Sequence, residues 1–110
     1  MTRLISLMLT AGIMLSAPAA AQDARAKGEQ IFTDQKCNLC HSIAGKGSVK
    51  GPLDEVGSKL TAAEMRQWLT DTKAMTAKTK AERKPEMKVY ALANDEVDAL
   101  IAYLSSLKKK

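Results

Sequence analysis

Cys37-Asn38-Leu39-Cys40-His41 puts two thiols and an imidazole within one short run, and nothing else in the chain constrains its fold as tightly. This CxxCH spacing is that of covalent c-type haem attachment: the two sulfurs bond the vinyl groups of one haem, and the histidine that follows reaches the iron from one face. Other uses of these residues fail on simple grounds. The chain has two cysteines and one histidine, too few donors for a four-ligand structural zinc site. A thioredoxin-like CxxC needs a βαβ setting, and no run of β-branched residues flanks Cys37. A disulfide between residues three apart would close almost no loop and add little stability.

The N-terminus points to export. Met1-Thr2-Arg3 gives a short positive start, Leu4 through Leu15 is uncharged and mostly apolar, and Ala17-Pro18-Ala19-Ala20-Ala21 offers small residues for cleavage after Ala21. Residues 1–21 are therefore expected to be a cleaved secretory signal peptide and residues 22–110 the functional domain. Because the apolar run falls well short of the ~20 residues that span a bilayer, stable membrane insertion is not expected. Since c-type haem is generally attached after translocation, the expected destination is a bacterial periplasm.

Removing the leader leaves 110 − 21 = 89 residues, one small domain with a thin hydrophobic core. A buried porphyrin would supply much of the missing apolar contact, and its two thioether links would restrict the unfolded chain as a cross-link does. The net charge of that domain is (17 − 1) − 12 = +4.

The hydrophobic pattern reads as all-α. Asp23 is placed to cap a helix over about 24–35, with Ala24, Gly28, Ile31 and Phe32 on one face. A glycine in mid-helix is costly, so another backbone should approach at Gly28. After a loop carrying the haem motif, Gly45, Gly47 and Gly51, the run Thr61-Ala62-Ala63-Glu64 forms a capping box. It should open a helix to about Lys73 with Met65, Trp68 and Leu69 on one face. The last helix, from about Asn94 to Lys108, has an apolar stripe of Val97, Leu100, Ile101, Leu104 and Leu107. Its acidic start and lysine-rich end both complement the helix dipole. No segment alternates with the period of two expected for strands.

The haem motif, Gly51-Pro52-Leu53 shortly after it, a methionine in a late loop and the stretch Asn94 to Leu104 together resemble a class I cytochrome c. The resemblance covers essentially all of the chain after the leader. It implies N- and C-terminal helices that cross, with Gly28 and Phe32 meeting the region of Leu100 and Tyr103, and a middle helix and loops around one haem c. It also implies that Pro52 lies on the histidine side of the haem and that its carbonyl accepts a hydrogen bond from the free ring nitrogen of His41, a contact that orients a ligating imidazole. Read by itself, Gly-Pro-Leu is equally a turn.

With one histidine in the chain, the sixth iron ligand cannot be a second imidazole. Met65 shares a helical face with Trp68 and Leu69, a core arrangement. Met87, in Lys84-Pro85-Glu86-Met87-Lys88, sits where Pro85 breaks any helix and leaves an irregular loop free to aim a thioether. Its distance from the last helix matches the family's axial methionine, so His41 and Met87 are the expected iron ligands, with Met75 the alternative. Lys88 stands where the family often has proline, and Thr79-Lys80 is followed by Ala81 rather than methionine, so the ligand loop is longer than in compact members. Trp68 could face the haem through its indole or serve as core.

His/Met ligation fills both axial positions, which favours a single-electron carrier over catalysis. Lys73, Lys78, Lys80, Arg83, Lys84 and Lys88, against Glu82 and Glu86, would steer such a carrier toward redox proteins with acidic surfaces. Taken singly, these charges are a solvated face. Nucleic-acid binding is not expected, since no recognition motif is present. The alternatives are a five-coordinate ligand-binding or peroxidatic haem protein, and a haem subunit of a larger oxidoreductase.

Overall fold

The computed structural model describes residue 12 and residues 19–110. Most of the proposed leader therefore lies outside the described residues. Five helices and one two-stranded hairpin follow in the order α1 (Ala19–Asp34), β1 (Ser42–Ile43), β2 (Lys46–Gly47), α2 (Val56–Lys59), α3 (Ala62–Thr70), α4 (Thr72–Thr79) and α5 (Asn94–Ser105). Among the described residues no helix is long and apolar enough to cross a membrane.

The expected crossing of the terminal helices organises the molecule. A Cβ on Gly28 would collide with the backbone carbonyl of Ala99 and lie 2.7 Å from Tyr103 Cβ, so only glycine lets α1 lie this close to α5. One turn on, the Phe32 and Tyr103 rings pack at a tilt, with centroids 6.1 Å apart. Ile31, Phe32, Val56, Met65, Leu69, Val97, Ala99, Leu100 and Ile101 form one buried cluster, so α1, α2 and α3 all seat on α5. Lys27 bonds Asp95 at 2.6 Å and Arg66 pairs with Asp98, tying α1 and α3 to the rim of α5.

Local chemistry sets the helix limits. The capping box at Thr61 is formed: its hydroxyl accepts from Glu64 N at 3.1 Å, and the Glu64 carboxylate accepts from Thr61 N at 2.9 Å. At α5 the Glu96 carboxylate likewise accepts from Ala93 N at 3.0 Å.

Four expectations are corrected. Asp23 does not cap α1, because the helix is already formed at Ala19 and Asp23 lies inside it. The middle helix breaks at Asp71, and α4 follows as a separate helix to Thr79. Helix α5 stops at Ser105, short of the expected Lys108, so the terminal lysines lie beyond it. The loop also carries the small hairpin Ser42–Ile43 with Lys46–Gly47, too short to show alternation.

Candidate haem-binding site

The haem motif curls tightly. Lys36 takes a left-handed conformation (φ 57°), Cys37–Leu39 form a 3₁₀ turn, and the amides of Cys40 and His41 both donate to the Cys37 carbonyl at 3.2 and 3.0 Å. This brings Cys37, Cys40 and His41 to the wall of one cavity of about 450 Å³. The volume falls within the ~300–1,000 Å³ usual for small-molecule and cofactor sites.

Gly51 orients the imidazole. Its carbonyl accepts from His41 Nδ1 at 3.0 Å and also from Ser42 N at 3.1 Å. Because a carbonyl can only accept, Nδ1 carries the proton and Nε2 keeps its lone pair free to ligate a metal. Burial first, and then the Arg83 cation, hold the His41 pKa below its ordinary value, while the bond to Gly51 works against them. The hydrogen bond expected at the Pro52 carbonyl is thus made one residue earlier. Pro52 itself forms a backbone bridge with Ser42 and lines neither cavity of the site.

The opposite wall comes from the segment between Lys80 and α5. Lys80 leaves α4 in a left-handed conformation (φ 54°), with its amide on the Ala77 carbonyl and that of Ala81 on Thr76. From there to Ala93 the chain has neither helix nor strand. Along this stretch Arg83, Met87, Lys88 and Tyr90 line the cavity. Lys88 Nζ sits 4.9 Å from the Tyr90 ring centre, and burial pushes the Tyr90 phenol up.

A second cavity of about 140 Å³ continues toward the core and shares His41, Trp68 and Met87 with the first. Its remaining walls are Leu53, Val56, Leu60, Met65, Leu69 and Leu104, all apolar. Trp68 is half-buried and faces both spaces, so it stands at the site instead of sinking into the core. Met65 is core, 2 % exposed. Met75, 4 % exposed, is buried on α4 and lines neither cavity.

These residues fit haem c. Two thiols share a cavity wall, an imidazole has its free nitrogen fixed by the bond on its other nitrogen, a thioether lines the same space, and the surround is largely apolar. Sequence reasoning did not find Gly51 as the acceptor or Tyr90 as a wall. The tripeptide Gly51-Pro52-Leu53 marks the place without revealing which carbonyl turns inward, and Tyr90 sits in no recognisable pattern.

A model of the cytochrome c family matches residues 25–108, and the chain belongs to that family. It has the family's all-α class I fold, and membership of the family implies a bound haem c. Among curated proteins it is similar to cytochrome c oxidase subunit 2 of Alkalihalophilus pseudofirmus, 28% identical over 91 residues. That match covers 74% of this chain but spans only 25% of the oxidase subunit. No solved structure matches the chain.

Proposed function

We propose that this chain is a periplasmic carrier of single electrons, with one haem c bound through Cys37 and Cys40 and the iron held between His41 and Met87. The observation that carries this reading is that His41 and Met87 line both cavities while Met75 lines neither. When bound, haem c supplies the redox chemistry, its iron taking one electron from a reduced donor and giving it up to an oxidised acceptor. The chain's own residues do the rest. Gly51 holds the His41 ring in its ligating tautomer, the Met87 segment presents a neutral thioether that favours the reduced state, and Leu53, Leu60, Leu69 and Trp68 keep water from the interior side.

The leader 1–21 would direct export, and Lys36, Arg83 and Lys88 around the cavity would orient the molecule on a redox partner with an acidic surface. Absorption spectra of the purified holoprotein test the coordination. A low-spin oxidised form with the weak far-red sulfur-to-iron band is expected. A high-spin form that binds carbon monoxide would instead identify a ligand-binding or peroxidatic haem protein. For transfer itself, the rate to an anionic partner should fall steeply with salt, and a flat salt dependence would remove the acidic-partner proposal.

A second reading has support in the likeness to an oxidase subunit: the chain could serve as a haem subunit docked on a larger oxidoreductase. Co-purification with such an enzyme would favour it.

A further inference from the structure

The Met87 segment places one charged group where its position has no explanation in the fold. Arg83 belongs to the irregular stretch after α4, yet its guanidinium reaches the histidine side of the cavity. A Cβ added to Gly51 would meet three groups: Arg83 Nη1, the Cys40 carbonyl, and His41 Nδ1 at 3.0 Å. The missing side chain of Gly51 is thus what admits the guanidinium beside the imidazole. Among the described residues Arg83 has no carboxylate within salt-bridge distance and no side-chain hydrogen bond, whereas its neighbour Lys84 bonds Glu86 at 2.9 Å. Its charge at this point is therefore uncompensated by the protein.

From this geometry we propose that Arg83 is a positioning residue for redox poise, a fixed cation beside His41 that favours the reduced form of the centre. The inference rests on His41 as iron ligand and does not require Met87. Uptake of one electron lowers the positive charge at the centre by one, so a neighbouring positive charge makes that uptake more favourable. Arg83 is largely exposed, and solvent and salt screen it, so the effect is moderate instead of dominant. An arginine suits the place because its charge persists at every accessible pH.

The test is the midpoint potential of the holoprotein as wild type, Arg83→Gln and Arg83→Lys, with the absorption spectrum of each recorded alongside. Arg83→Gln should lower the reduction equilibrium constant about threefold, or ~30 mV for one electron given ~59 mV per tenfold change, and Arg83→Lys should recover most of that loss. Adding salt should shrink the difference between wild type and Arg83→Gln. Equal potentials in wild type and Arg83→Gln would overturn the inference. So would equal losses in Gln and Lys variants, which would make shape and not charge the active property, or loss of the far-red band in either variant, which would make Arg83 a structural tie for the loop. A wild type that lacks the band refutes the Met87 assignment instead. The difference between wild type and Arg83→Gln still decides the role of Arg83 in that case.

Discussion

The α1–α5 crossing and the segment from Ala81 to Ala93 are built on opposite principles. In the crossing, side chains fix one another: Gly28 admits Ala99, Phe32 meets Tyr103, and Val97 and Leu100 are each 2 % exposed. The Met87 segment has no helix, no strand and little burial, and Val89 within it is 58 % exposed. Backbone pairing and a packed core of its own do not hold it, yet it supplies seven of the residues that line the cavity. The frame therefore carries stability, and under the proposed ligation the segment supplies part of the iron's chemistry. That separation suits the proposed electron carrier, since loop residues beside the iron can vary without unfolding the scaffold.

The largest expected effect lies in the frame. Leu100→Ala should cost ~2–5 kcal/mol in denaturant unfolding of the holoprotein, because it empties a fully buried position. Gly28→Ala, which adds one carbon, should cost about 3 kcal/mol, because α1 must lift off the Ala99 carbonyl. Both should leave the far-red band in place; loss of the band at native conditions in either variant would break the separation of frame from segment.

Thr61→Ala removes one half of a capping box at the start of α3 and should cost about 1 kcal/mol, again with unchanged ligation. The smallest effect is electrostatic. The bond from Lys27 holds the Asp95 carboxyl below the usual carboxylate range. The pair therefore contributes its stability above that range and loses it as pH falls through the lowered value. Asp95→Asn should slightly destabilise the protein at neutral pH and make no difference in strong acid, a pattern that pH-dependent unfolding would show or refute.

The same contrast explains what the sequence made legible. The frame is written in repeating residue types: the stripe Val97, Leu100, Ile101, the misplaced glycine at Gly28, and the Thr61-Glu64 cap each have one local physical reading. CxxCH is equally local, since its spacing is its chemistry. Helix α4 was not legible because Thr72 to Thr79 buries only Thr72 and Met75 and shows no apolar stripe. Its threonine hydroxyls bond back to carbonyls four residues earlier, as Thr76 does to Thr72 at 2.9 Å, a contact that no pattern of side-chain polarity announces. The Gly51 acceptor and the reach of Arg83 depend on backbone direction across distant segments, which a single sequence does not encode position by position.

Met87 lines both cavities, whereas Met75 is buried on α4 and lines neither. Parallel spectra and unfolding curves of Met87→Ala and Met75→Ala holoproteins test this difference most directly. Met87→Ala should lose the far-red band and gain carbon monoxide binding in the reduced form. Met75→Ala should keep the band and lose ~2–5 kcal/mol of stability, as expected for a truncated buried side chain. Loss of the band in Met75→Ala alone, with Met87→Ala spectrally intact, would contradict the account.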